Sequence, residues 1–357
     1  MTNQPSIDQA KVEAFVGKVL GDTSAALITV LAVIGDRLGL FKDLAANGAA
    51  TSAELAARTR LNERYVREWL GGMATAGYIQ YDPASRRFTL PAEHAPALAQ
   101  ESGPFFFGGV HQMVHAMTGI LDQLTEAFRN GGGVPQSSYN VNFWEGMTRF
   151  TNGWFENLLT QVWIPAMPDV QAKLQRGARV ADVCCGYGRA IVKLAQTFPN
   201  SNYFGYDVFG PTIDSASAYA KEAGVSDRAS FQQLDVSKGL PDKYDVIVTF
   251  DVVHDSADPL GLLRAIRQAL PPDGVYVCLD INCSDKLEEN TGPLGAMFHG
   301  FSVLYCMTTS LARGGAGLGT LGLHPPKLRE LCTEAGFRSV EPLPLENPFN
   351  NVYEVRP

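Results

Sequence analysis

The stretch Arg179-Val-Ala-Asp-Val-Cys-Cys-Gly-Tyr-Gly-Arg189 decides the fold. A short apolar run carries one acid, Asp182, and passes into a tight turn at Gly186 and Gly188. An amphipathic helix follows over Arg189–Thr197. A strand–glycine loop–helix unit brings backbone close to a ligand, because glycine lacks a Cβ and tolerates positive φ. Asn202-Tyr-Phe-Gly-Tyr-Asp207 is a second strand ending in an acid, 21 residues past Gly186. At that spacing a doubly wound fold sets a carboxylate under a ribose diol.

The ligand is a separate question. A dinucleotide site wants a third small residue where Ile191 stands, and Asp182 is wrong for a loop that must cradle a pyrophosphate. A carboxylate there favours a ligand with positive charge and no phosphate. S-adenosylmethionine (SAM) fits, with its ammonium, sulfonium and ribose. Here the sequence resembles the class I SAM-dependent methyltransferases, whose first motif runs acid-x-x-Cys-Gly-x-Gly. The resemblance continues through Asp207, Phe231-Gln-Gln-Leu-Asp235-Val236 and Tyr244-Asp-Val-Ile-Val-Thr-Phe-Asp-Val-Val-His254-Asp255-Ser-Ala-Asp258-Pro259, and ends in Leu270-Pro-Pro-Asp-Gly274. It implies a Rossmann-like α/β domain with SAM as cofactor. By matched position it implies Asp182, Gly186 and Gly188 at the methionine end, Asp207 at the ribose, Asp235 with Val236 at the adenine, and Phe250 flanking the cofactor.

Outward from this core, apolar runs at 179–184, 202–206, 229–233, 244–250 and 275–280 alternate with helical patterns at 189–197, 211–222 and 260–270. Such alternation predicts a doubly wound parallel sheet. The link from Asp235 to Tyr244 is short for a parallel crossover. Residues 281–322 insert a helix (295–312) and the glycine-rich Gly314-Gly-Ala-Gly-Leu-Gly-Thr320. That run is no phosphate loop, since no strand precedes it and no Gly-Lys-Ser/Thr follows; it is expected to be a flexible flap near the acceptor pocket. A last helix, 327–335, and two closing strands complete a domain over 171–357.

The first 95 residues read differently. An apolar helical stretch at 12–40 precedes Thr51-Ser-Ala-Glu54, a capping-box signature. A helix opened by Asn62 and stopped by Gly77 follows, and then a hairpin over 79–90 turning at Asp82-Pro83. Helix, helix, hairpin is a winged helix. With ten Lys+Arg against ten Asp+Glu in residues 1–100 it lacks the basic face that DNA demands. Tyr65, Trp69 and Met73, at i, i+4, i+8, predict an apolar stripe for packing between subunits. Small-molecule O-methyltransferases of plants and bacteria often use such a winged helix for dimerisation, which implies a homodimer. Residues 96–170, rich in aromatics and broken at Asn130-Gly-Gly-Gly-Val-Pro135, are expected to form a helical linker that lines the acceptor pocket.

Composition narrows the class. A net charge of −8 and a pI of about 5.3 argue against nucleic acid as a partner. Six cysteines without a C-x-x-C pair predict reduced thiols, with no zinc site or disulfide framework. His111 and His115 lie at i, i+4 without an acidic partner, so no metal is expected. Met1–Ser6 carries no basic start leading into an apolar core, and Arg313 and the glycines spoil 303–323 as a membrane span. A cytoplasmic protein without membrane attachment is expected.

His254 is the candidate catalytic residue. It follows the fourth strand at the carboxyl edge, where open α/β sheets bind ligands. In winged-helix O-methyltransferases a His-Asp pair here supplies a general base, and imidazole suits that work near neutrality. Asp285, Glu288 and Glu289 are candidates for the acid that orients it. The expected function is methyl transfer from SAM to a small molecule at a hydroxyl oxygen. Methylation at N, C or S, another SAM-fold reaction, and a DNA-binding SAM sensor are the alternatives.

Overall fold

A computed structural model of the chain describes residues 7–357, so the Met1–Ser6 reading lies outside the described residues. The chain divides into two compact units, one running through Ala116 and adding Val141–Gly153, the other comprising Met117–Asn140 and Trp154–Pro357. The segment read as one linker, 96–170, is thus shared between both.

In the first unit, α1 (Gln9–Arg37) starts where the Asp8 carboxylate accepts from the Ala10 and Lys11 amides. Next come α2 (Leu40–Asn47), α3 (Ser52–Thr59) and α4 (Glu63–Thr75). The Thr51–Glu54 capping box forms at α3, and Asn62 caps α4. The wing is β1 (Gln80–Asp82) paired antiparallel with β2 (Arg87–Thr89), with Ala50 bridged to Phe88. Then α5 (Ala95–Leu98) and α6 (Gly108–Met117) follow. The chain leaves for α7 (Leu121–Asn130) of the other unit and returns as α8 (Val141–Trp154).

The apolar stripe expected on α4 is internal. Trp69 and Met73 are buried with Val66 and Leu70 among Leu40, Phe41, Leu44 and Leu55, and the Trp69 indole donates to Leu31 O at 2.8 Å. Tyr65 is 80% exposed. The buried face follows Val66, Trp69, Leu70, Met73, the i, i+3, i+4, i+7 pattern that tracks a 3.6-residue turn, and Tyr65 lies just off it. Apolar surface is exposed on α1 instead. Its C-terminal third packs inward through Ala32 and Val33, but residues 9–27 are exposed throughout, with Val12, Phe15, Val16, Val19, Leu20 and Leu27 in solvent. Among the described residues, α1 alone is long and apolar enough to cross a membrane.

In the second unit, a π-helical segment (Phe155–Trp163) and α9 (Pro168–Arg176) lead to the sheet. Its strands are β3 (Arg179–Val183), β4 (Asn202–Asp207), β5 (Ala229–Gln233), β6 (Val246–Phe250), β7 (Val275–Ile281), β8 (Ser339–Pro342) and β9 (Asn350–Arg356), in the order β5-β4-β3-β6-β7-β9-β8. The first five are parallel; β9 runs antiparallel to both β7 and β8. Helices α10 (Arg189–Thr197), α11 (Gly210–Glu222) and α12 (Pro259–Ala269) connect the parallel strands. Beyond β7 come α13 (Gly292–Phe301), a π-turn (Ser302–Cys306), α14 (Met307–Ala312) and α15 (Pro325–Ala335).

Strands β3, β6 and β7 are near-continuous Val/Ile/Leu runs because parallel strands are covered on both faces. Leu262, Leu263 and Ile266 of α12, with Leu328 and Cys332 of α15, close the core over Ala181, Ile247 and Tyr276. The strand order turns back between β3 and β6. Such a switch point opens a crevice at the carboxyl ends, and the loops leaving it are 184–188 and 251–255.

Candidate active site

The glycine loop is built for close approach. Gly186 and Gly188 take φ of +50° and +69°, and a Cβ on Gly188 would stand 2.6 Å from the Phe231 ring. Cys184, at φ +60°, shares the strained turn. Asp207 joins the two motifs that spacing linked: its Oδ2 accepts from Gly186 N and its Oδ1 from Phe209 N, each at 2.9 Å. Burial pushes the Asp207 carboxyl up, partly offset by those amides. Asp182, inside β3 and 2% exposed, is pushed well up by burial and then by Asp207. Desolvation thus disfavours the charged form of both carboxyls, and Asp207 adds to the effect at Asp182.

A cavity of about 480 Å³ opens past the ends of β4 and β5, lined by Val208, Gln233, Leu234, Asp235, Lys238 and Arg313. Asp235 caps the turn that follows it, accepting from Ser237 Oγ at 2.6 Å, and pairs with Lys238 at 3.2 Å. Those bonds, the Ser237 one first, hold its carboxyl below the usual range. Val236 turns into the core at 3% exposure and is not among the cavity lining. Phe250 ends β6 against Phe155 and Trp163, at ring distances of 5.1 and 6.3 Å.

His254 is 3% exposed and held between carboxylates. Its Nδ1 lies 2.6 Å from Asp280 Oδ1, and Asp280 also accepts from the Val253 and Ile281 amides. Asp255 Oδ1 stands 3.0 Å from Nε2 yet is a buried oxygen without a hydrogen bond of its own. Burial by itself would lower the imidazole pKa; Asp280 and Asp255 together raise it well above the ordinary value. Asp251, at φ +56° after β6, accepts from Asn350 Nδ2 at 2.6 Å. Desolvation, then Asp280, raises its carboxyl to about 8.

The orienting acid is therefore Asp280, not Asp285, Glu288 or Glu289. Glu289 is taken up by Ser284 Oγ at 2.5 Å and Lys286 at 2.7 Å, in the exposed turn beyond the strand end. The parallel register of β6 and β7, Phe250 beside Leu279, brings the end of β7 to the turn that bears His254. An acid closing an otherwise apolar strand, Val275-Tyr-Val-Cys-Leu-Asp280, was the available signal.

Donor atoms of His254, Asp255 and Cys306, and of Asp251, His254 and Asp280, each lie within 4.8 Å of one another. Both sets share His254, whose Nδ1 is engaged by Asp280. Neither includes His111 or His115. All six cysteines are free thiols. The glycine-rich run 314–319 is fastened rather than loose: Ala316 N donates to Ala257 O at 2.9 Å and Gly315 N to Ser310 O at 3.0 Å.

The cleft suits SAM. It couples a glycine cradle to the buried Asp182 and the half-buried Asp207, whose raised pKa values a sulfonium or ammonium would relieve. On the winged helix, Arg64 and Arg67 are ion-paired within their own helix to Glu68 and Glu63, so each positive charge has a negative one beside it.

Comparison with known proteins agrees. Residues 26–100 match the Rv2258c-like winged HTH domain family, and residues 174–309 match a methyltransferase domain family. A ubiquinone biosynthesis O-methyltransferase of Cereibacter sphaeroides is 28% identical over 119 residues, 33% of this chain and 47% of that protein. The chain spans about half the length of the curated relatives it matches. Mitomycin 7-O-methyltransferase MmcR superposes with a TM-score of 0.71 at 19% identity, covering 98% of this chain and 99% of its own. Human N-acetylserotonin methyltransferase, solved with SAM, superposes at 0.69 and 17% identity over 99% of each chain. At such identities the likeness is one of fold.

Proposed function

From a chain that is, domain by domain, a winged helix-turn-helix followed by a class I SAM-dependent methyltransferase fold, we propose an enzyme that methylates a hydroxyl oxygen of a small molecule. His254 is its general base and Asp280 the residue that positions the base. The observation that carries this is the Asp280–His254–Asp255 chain at the carboxyl edge, one loop from the glycine cradle. SAM supplies a methyl group already activated by the sulfonium charge, so the protein's task is mainly alignment, worth roughly 7–11 kcal/mol in favourable cases.

Gly186 and Gly188 admit the methionine end, with Asp182 facing its positive charge and Asp207 the ribose diol. The acceptor's hydroxyl proton passes to Nε2 of neutral His254. The resulting imidazolium is held by Asp280 at Nδ1 and Asp255 at Nε2, so the site stabilises the charge that proton transfer creates. A raised imidazole pKa makes a stronger base at the cost of a protonated resting state at neutral pH. Thiol and amine acceptors give up their proton more readily than an alcohol and depend less on such a base. The active form is proposed to be a cytoplasmic homodimer in which α1 residues 9–27 are covered by a second copy. Their apolar side chains recur at three- and four-residue steps beside the Lys18–Asp22 ion pair, a striped helix suited to a protein partner.

A screen of small phenols, hydroxy acids and amines for S-adenosylhomocysteine release tests the reading. Turnover of hydroxyl acceptors that collapses in His254→Ala is expected. Turnover confined to amines or thiols, or indifferent to that substitution, overturns the base. A gel shift at physiological salt should show no DNA complex.

A further inference from the structure

One wall of the cavity comes from a segment that the proposed chemistry leaves unused. Arg313 follows α14 and lines the cavity together with residues at and just past the ends of β4 and β5. Of the two cations there, Lys238 is engaged with Asp235. The Arg313 side chain is exposed and makes neither a hydrogen bond nor an ion pair among the described residues. It is not a stray surface arginine, because its loop is fixed to the turn after His254. Besides the Ala316 amide on Ala257 O, Ser310 Oγ donates to Ser256 O at 3.0 Å and accepts from Gly317 N at 3.1 Å. A Cβ on Gly315 would stand 2.4 Å from Ala257 Cα, so the close approach requires glycine. The positive charge reaches Asp207, opposing the desolvation that raises its carboxyl.

We propose that Arg313 is a cofactor-binding residue whose planar guanidinium lies over the adenine face of bound SAM. The inference rests on the reading that this cleft takes SAM. Its neighbours in the lining are Val208, Leu234 and Asp235, at the adenine end, where the ligand offers a flat π surface and no anion. A weakly hydrated, planar cation is the side chain that stacks on such a surface, and lysine is no substitute for it. The cofactor is then enclosed from the inserted segment as well as from the sheet edge.

Calorimetry with SAM, S-adenosylhomocysteine and 5′-methylthioadenosine on wild type, Arg313→Ala and Arg313→Lys tests this. The expected result is a loss of about 3- to 30-fold in affinity for all three ligands in both variants. The melting temperature should not move, since Arg313 is exposed and unbonded. Unchanged affinities in Arg313→Ala overturn the inference while leaving the SAM reading intact. A loss for SAM and S-adenosylhomocysteine but not methylthioadenosine transfers Arg313 to the carboxylate and overturns the stacking. Full rescue by lysine overturns it too. A wild type that binds none of the three overturns the underlying reading along with the inference.

Discussion

Helix α1 and the carboxyl edge of the sheet break the ordinary rule of burial in opposite directions. In α1, Phe15, Val16, Leu20 and Leu27 stand in solvent at 60% exposure or more. At the sheet edge Asp182, His254 and Asp280 are buried at 3% or less. Each arrangement is costly in isolation, since exposed apolar stripes and buried charges both seek a complement. By contrast, Trp69 is bonded to Leu31, and α12 and α15 are sealed over the sheet. The proposed function supplies both complements from outside the chain: a second copy at one, a cationic cofactor and its acceptor at the other.

The largest effect is expected at α1. Val16→Glu with Leu20→Glu puts four charges into a dimer and removes four apolar contacts of at least about 1.5 kcal/mol each, weakening it about 10⁴-fold. Sedimentation should find a dimer in wild type and a folded monomer in the variant. A monomeric wild type that partitions onto lipid vesicles would mean that α1 meets a membrane.

At the sheet edge, His254→Ala should lower kcat by about 10²–10⁴ with SAM affinity nearly intact. Single-turnover rates with saturating acceptor separate this from a binding defect. Asp207→Ala should weaken SAM about 10- to 150-fold, through the lost diol contact and a loosened Gly186 amide. Calorimetry reads it directly.

The smallest effect sharpens the comparison most. Only neutral His254 accepts a proton, and Asp280 and Asp255 raise its pKa, so wild-type kcat should climb with pH above the ordinary imidazole range of about 6.5. Asp280→Asn removes one of those carboxylates and leaves the burial, which favours the neutral ring. The rise should then move to lower pH, with a lower plateau because the ring is less firmly oriented. A profile that does not move would mean that Asp280 is structural.

Much of the second unit was legible because its signals are local. The run into Gly186 and Gly188 carries its own strand, turn and helix, and the 21-residue step to Asp207 ends in a direct hydrogen bond. His254 was legible as the residue leaving β6. Asp280 was not, because it lies 26 residues on and meets the imidazole only through the β6–β7 register. Acids nearer in character to a solvent turn, such as Glu289, drew attention instead. On α4 a period of exactly four residues linked Tyr65 to Trp69 and Met73, whereas the true buried face advances by 3.6. The exposure of α1 was hidden because an apolar helix reads the same whether its cover lies within the chain or outside it. Residues 96–170 read as one linker because no local signal announces that α8 returns to the first unit.

The central claim is that Asp182 and Asp207 at the sheet edge hold a cationic, ribose-bearing cofactor. Calorimetric titration of the wild-type protein with SAM across mildly acid to neutral pH tests it most directly. Burial raises the carboxyl pKa values of Asp182 and Asp207, and only their ionised forms attract the ligand's charge. Affinity should therefore strengthen as pH rises, with protons released on binding, and NAD should give no heat. Binding of NAD in place of SAM, or SAM affinity that falls as the carboxylates ionise, would contradict the account.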